Sequence, residues 1–180
     1  MEKILKFGGT SCGSIESISL LVSIIEKNVQ SQSEFSVVFS AMSGVTNQLL
    51  EAGSLASKGK KNALELIEEI ENRHFEVVKH FIPVKGQSQV IAHIRTLINE
   101  LKDVLKGITL LKEISPKSSD LLVSFGERLS TSMIYHVLRE KGLDVVFVDA
   151  REIIKTNDQF GKSSVDFSEI KVPKALGSIV

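Results

Sequence analysis

Few openings leave a chain as little choice of fold as an apolar strand that runs into paired glycines and then into an amphipathic helix. Here Ile4 and Leu5 read as a short buried strand, Lys6-Phe7-Gly8-Gly9-Thr10-Ser11 follows, and Ser14 to Val29 reads as a helix. That helix carries Ile15, Ile18, Val22, Ile25 and Val29 at helical spacing, with Ser14 as its expected N-cap. Glycines without a Cβ let the backbone fold tightly, so that several N–H groups can converge on one point. The helix behind them adds unpaired donors and a partial positive charge at its first turn. Lys6 supplies a full charge, and Thr10 and Ser11 supply hydroxyls.

Those residue types describe a cradle for a polyanion such as the phosphates of a nucleotide. A tight turn flanked by a surface lysine accounts for the same hexapeptide, and local sequence leaves both readings open. Neither common glycine-loop device is present. Gly161-Lys162-Ser163 imitates the end of a Walker A loop, but Thr156 stands where its first glycine must be. Gly8, Gly9 and Gly13 have the wrong spacing for a dinucleotide fingerprint.

The rest of the chain alternates between strands and helices at both ends, which predicts an α/β domain with a largely parallel sheet. Phe35 to Ala41 reads as an apolar strand buried on both faces, and Val45 to Leu55 as a helix. Asn62 with Glu65 resembles a capping box opening a helix to about Phe81. Pro83 and Gly86 interrupt, and a further helix is expected from about Ser88 to Lys112. Residues 56–114 thus read as a helical insertion between sheet strands. Ser118 or Ser119 is expected to cap the next helix, which Gly142 stops, and Leu143 to Asp149 is expected as a third strand. Pro173 interrupts any regular element near the end of the chain, and Ile179-Val180 reads as the start of another strand. Three strands are few for this length, and an open edge is a liability. Residues 1–180 are therefore expected to be a fragment whose remaining strands lie beyond residue 180.

Charge and cysteine content narrow the classes of partner. Twenty-two basic and 22 acidic residues cancel, which favours neither nucleic acid nor an anionic membrane. Cys12 is the only cysteine, so no intrachain disulfide can form and a reducing compartment is expected. It reads as a small semi-buried side chain rather than a nucleophile. The first residues lack the apolar stretch of a signal peptide, and no run is long enough to span a bilayer. The expectation is a cytoplasmic protein.

Three further clusters fall where an α/β site should lie, beyond the carboxyl ends of strands. Ser40-Ala41-Met42-Ser43-Gly44-Val45-Thr46-Asn47 could grip a small polar ligand or simply cap a helix. In Ser124-Phe125-Gly126-Glu127-Arg128-Leu129-Ser130-Thr131, a mid-helix glycine costs about 1 kcal/mol relative to alanine. Close approach by a ligand or another backbone would explain it. Glu127 beside that gap could receive an ammonium group or form a surface pair with Arg128. Thr156-Asn157-Asp158-Gln159-Phe160-Gly161 fits a lid or, more simply, a polar turn.

Taken in order, these segments resemble the aspartate kinases of the amino-acid kinase superfamily. Lys6 to Ser11 resembles the signature that opens them, Phe39 to Asn47 their second motif, and Ser124 to Glu127 their serine-x-glycine-glutamate helix. Asp149-Ala150-Arg151 with Thr156-Asn157-Asp158 resembles the next segment. Acetylglutamate, glutamate 5- and uridylate kinases share the fold but open differently. The resemblance implies a three-layer αβα sandwich with a mainly parallel sheet. It implies transfer of a phosphoryl group from MgATP to the β-carboxylate of L-aspartate, giving aspartyl phosphate. Lys6 would stabilise the transferring group and, with Gly8, Gly9, Thr10 and Ser11, hold the phosphates. Ser40 and Thr46 would contact aspartate, and Glu127 would bind its amino group. No residue is assigned to magnesium. Cys12 departs from the small aliphatic residue more usual there.

A carboxylate is already ionised near neutral pH, so no general base is needed. His74, His80, His93 and His136 are accordingly read as surface or core packing. Aspartate kinases continue into a second half that carries much of the nucleotide site, so residues 1–180 alone are expected to be inactive. The parent is expected to be a homo-oligomer, either monofunctional or fused to homoserine dehydrogenase. The rivals are a glutamate- or carbamate-type kinase and a non-catalytic anion-binding module.

Overall fold

The computed structural model describes residues 3–31 and 35–170. Strand β1 (Lys3–Phe7) pairs in parallel with β2 (Phe35–Phe39), in a register that sets Leu5 opposite Val37 and Phe7 opposite Phe39. The crossover between them is helix α1 (Ile15–Gln30). Alternation along the strands turns Phe7 and Phe39 inward, where their rings stack with centroids 5.9 Å apart. Ile4 and Val38 stay exposed, at 70% and 50%. The expectation that β2 is buried on both faces is therefore corrected: among the described residues one face of this ribbon is open.

Four long helices come next: α2 (Val45–Ser57), α3 (Ala63–Phe81), α4 (Val84–Leu111) and α5 (Pro116–Glu140). They pack on one another through apolar stripes such as Ile67, Ile70 and Val78 of α3, Ile94, Ile98 and Leu101 of α4, and Leu122, Leu129 and Met133 of α5. Ile18, Leu21, Val22 and Ile25 of α1 belong to the same core. Helix α5 also reaches β2, so the bundle is joined to the sheet through α5.

The helix ends separate the sequence signals that hold from those that mislead. Ser14 caps α1: its hydroxyl accepts the Ser17 N–H at 3.2 Å, while Ser17 Oγ accepts the Ser14 N–H at 3.0 Å. Gly142 takes φ +77°, and its N–H and that of Leu143 donate to the carbonyls of Arg139 and Leu138. The Asn62–Glu65 box does not form, because Asn62 is already helical and its side chain makes no cap bond. Helix α5 starts earlier than expected. Ser115 is its N-cap, Pro116 occupies its first turn, and Ser118 completes the box from inside the helix. Gly86 lies within α4, and only Ile82 and Pro83 separate α4 from α3.

Leu143 to Asp149 is not a strand. A strand exists only through a ladder partner, and among the described residues β1 and β2 pair only with each other. Leu143 and Val145 still pack on the core while Val146 and Phe147 are exposed. The short helix α6 (Ala150–Ile153) takes the place of the extension that Ile153-Ile154 would have given that strand. Pro173 and Ile179-Val180 lie outside the described residues. No described helix is long and apolar enough to cross a membrane.

Candidate active site

β1 and β2 run in parallel, so the loops that leave their carboxyl ends emerge side by side. The first turns back on itself: the amides of Ser11 and Cys12 donate to the Gly8 carbonyl, at 2.9 and 3.3 Å. The Gly9 and Thr10 amides have no acceptor among the described residues. A Cβ on Gly9 would lie 3.2 Å from the Ala41 carbonyl oxygen, and one on Gly13 would lie 2.9 Å from Ser43 Cβ. These two glycines therefore let the first loop sit against the second. Gly8 is different, because a Cβ there would meet nothing within 4 Å. Packing within the chain does not demand a glycine at that position, whereas a ligand held against the backbone would.

The second loop begins at Ser40, whose N–H gives the last rung of the ladder to the Phe7 carbonyl at 3.0 Å. Helix α5 then holds it. Ser130 Oγ donates to the Ser40 carbonyl at 2.8 Å, and the Ala41 N–H donates to Glu127 Oε1 at 3.3 Å. Gly126 makes this approach possible, since a Cβ there would come within 2.8 Å of the Ala41 Cβ. From the other side, Arg73 of α3 donates from Nη2 to the Ser43 carbonyl at 2.9 Å. Gly44 turns the chain into α2 with φ +83°, a left-handed conformation that a side chain would strain.

The structure thus brings Gly9, Ser40 and Glu127 to one place, with Ala41 as the shared neighbour. Lys6 and Thr10 are exposed, as is Thr46 in the first turn of α2, and none hydrogen-bonds another site residue. Lys6 stands opposite Val38 at the end of β1. Ser11 is partly buried. Cys12 is fully rather than partly buried, and burial pushes its thiol up, opposed by a hydrogen bond from the Ser40 backbone. A thiol so placed is a packing group between the loops, not a nucleophile.

Beyond the loops, Arg128 lies over the Phe125 ring at 4.3 Å and pairs with Glu100 at 2.7 Å. Asp149 caps α6 and is held below the usual carboxylate range, chiefly by hydrogen bonds from Arg151. The segment from Thr156 to Val165 is a closed polar turn. Its ends meet in an antiparallel bridge, and the Gly161 N–H donates to Asp120 of α5 at 2.7 Å. Two open grooves of about 420 and 300 Å³ run along α4 and its junction with α5, and neither includes a residue of the two loops. Among the described residues no group of three His, Cys, Asp or Glu side chains is placed to hold a metal.

Two of the side chains that shape the site, Ser130 and Arg73, carry no sequence reading of their own. Ser130 sits three residues beyond Glu127 and so on the same side of α5, a spacing that could have marked it. Arg73 has no such signal, being 30 residues from the loop that it reaches.

Residues 1–173 match the model of the amino acid kinase family. The chain belongs to that family. Its relatives include a bifunctional aspartokinase/homoserine dehydrogenase of Buchnera aphidicola, 31% identical over 94% of this chain and 21% of that protein. Chloroplastic aspartokinase 1 of Arabidopsis thaliana is 36% identical over 90% of this chain and 28% of its own length. Among solved structures, E. coli aspartokinase III in complex with aspartate and ADP superposes with a TM-score of 0.83 at 25% identity. That match covers 99% of this chain and 37% of the solved one. The same enzyme bound to lysine and aspartate gives a TM-score of 0.81. The chain therefore has the amino-acid kinase fold over its described length, and it spans well under half of each of these relatives.

Proposed function

We propose that this chain is the N-terminal part of an aspartokinase catalytic domain, whose protein transfers a phosphoryl group from ATP to the β-carboxylate of L-aspartate. The contact of Gly9 with Ala41, and of Ala41 with Glu127, carries the reading. It sets a loop with unspent amides directly beside a loop tied to a carboxylate. An anionic phosphate suits the first, and the ammonium of an amino acid suits the second.

In this reading Gly8 and Gly9 hold the phosphates by their backbone, and Thr10 and Ser11 add hydroxyls. Lys6 neutralises charge that builds on the transferring group. Ser40 and Thr46 receive the aspartate, and Glu127, with Oε1 on the Ala41 amide, turns Oε2 to the substrate's amino group. ATP supplies the phosphoryl group, with magnesium as its counter-ion, and no described residue is assigned to the metal. The attacking carboxylate oxygen needs no base, so the protein's task is to align two anions and offset their repulsion. The full-length protein is read as a cytoplasmic homo-oligomer.

A coupled assay of ADP release by the full-length protein, with aspartate and glutamate as alternative acceptors, tests this. Aspartate-dependent turnover is expected, with Lys6→Ala lowering kcat by about 10²- to 10³-fold, the usual effect of removing a group that stabilises transition-state charge. Turnover with glutamate but not aspartate would overturn the reading.

A further inference from the structure

The end of the β1–β2 ladder leaves one carbonyl in an unusual position. In a continued parallel ladder the Ser40 carbonyl, whose own N–H bonds Phe7, would accept the N–H of Gly9. Gly9 has instead turned into the first loop and makes no such bond. The donor that replaces it comes from 90 residues away: the Ser130 hydroxyl, on a side chain with no solvent exposure. The same hydroxyl lies 3.2 Å from the Glu127 carbonyl, a longer contact that shares its one proton.

We propose that Ser130 is a positioning residue for the amino-acid substrate. It rests on the reading of the second loop as the aspartate site. Ser40 is pinned on both sides of its Cα, by Phe7 through N–H and by Ser130 through C=O, and this fixes where its side chain points. One residue later the Ala41 N–H meets Glu127 Oε1, from the same side of α5. Ser130 and Glu127 therefore hold successive residues of the loop from one helix face, so the two proposed aspartate contacts, Ser40 and Glu127, keep a fixed separation. Removing the Ser130 hydroxyl leaves the Ser40 carbonyl without a donor and frees the loop on the amino-acid side. The first loop keeps its own bonds from Ser11 and Cys12 to Gly8, so nucleotide binding is spared.

Steady-state kinetics and thermal unfolding of the full-length protein with Ser130→Ala and Ser130→Thr decide the matter. Ser130→Ala is expected to raise the aspartate KM about three- to tenfold, the effect of one hydrogen bond of ordinary net strength, with the ATP KM within about twofold of wild type. Ser130→Thr, which keeps a hydroxyl, is expected to recover most of the aspartate KM. An unchanged aspartate KM, or equal rises in both constants that threonine does not recover, would overturn the role. If Ser130→Ala does not fold, Ser130→Cys, with a weaker donor of similar size, is measured instead. Its aspartate KM must rise with the ATP KM unmoved, or the role falls. Wild-type protein that neither binds nor turns over aspartate would sink the underlying reading, whereas normal wild-type kinetics beside an unmoved Ser130→Ala would sink this proposal alone.

Discussion

Gly126 illustrates how a single missing Cβ organises the site. A glycine in the middle of α5 forgoes about 1 kcal/mol of helix propensity, and the Ala41 methyl takes the space thereby left. Gly126→Ala should therefore not stabilise α5. It is expected to lower stability by about 1–3 kcal/mol, the range for overpacking a filled site, read from urea unfolding. Adding Ala41→Gly removes the opposing methyl and should return part of that loss, a coupling that a double-mutant cycle measures. Sequence alone marks this glycine as a point of close approach, because the residue is poor in a helix on any other account. Glu127 is legible in part: its carboxylate is expected to face a ligand, but its grip on the Ala41 amide depends on a packing that no local pattern encodes. That grip separates two substitutions. Glu127→Gln keeps an acceptor for the Ala41 N–H and loses the charge, whereas Glu127→Ala loses both. Both should raise the aspartate KM, and the alanine variant alone should also lower the melting temperature.

At the level of helices, α3 carries the least comfortable group in the described chain. His74 is fully buried, its Nδ1 lies 2.7 Å from the Ile70 carbonyl, and Nε2 has no partner among the described residues. A carbonyl neighbour assigns the proton to Nδ1 and leaves Nε2 a bare acceptor. Burial brings its pKa down to about 4, from about 6.5 in an open chain. Unfolded chains then bind a proton at this site that the folded chain refuses. Folding stability should be at full strength above about pH 6.5 and fall towards pH 4, by roughly 2–4 kcal/mol from this group. His74→Leu should flatten that slope in denaturant titrations at several pH values. The other lesson of this scale concerns signals that compete. Ser115, Ser118 and Ser119 all stand where a cap for α5 could lie, and Pro116, welcome only in a first turn, is the clue that decides for Ser115. Ser115→Ala should cost about 1 kcal/mol. Apolarity in Leu143 to Asp149 announces burial correctly for Leu143 and Val145 but cannot announce a ladder, which needs a second strand.

For the molecule as a whole, periodicity and punctuation are enough to order β1, α1, β2 and the four long helices. Which helices hold the second loop does not come from either, because those contacts join residues 30, 86 and 90 positions apart. The open face of the ribbon, where Ile4, Lys6 and Val38 stand exposed, bears on activity. A lysine that must oppose charge on a transferring phosphoryl group works best away from water, where its field is least screened. Residues 1–180 expressed alone are therefore expected to show no aspartate-dependent ADP release, while the full-length protein does. Matched turnover by both polypeptides in the coupled assay would refute this.

Arg73 ties the helical stretch to the second loop. Its guanidinium spans from α3 to the Ser43 carbonyl, beside the left-handed Gly44. A shift in the tilt of α3, whatever drives it, would tug on the peptide just past Ala41 and bypass the strands altogether. The paired helices that looked like an excursion from the sheet are in mechanical series with the residues that would greet the amino acid.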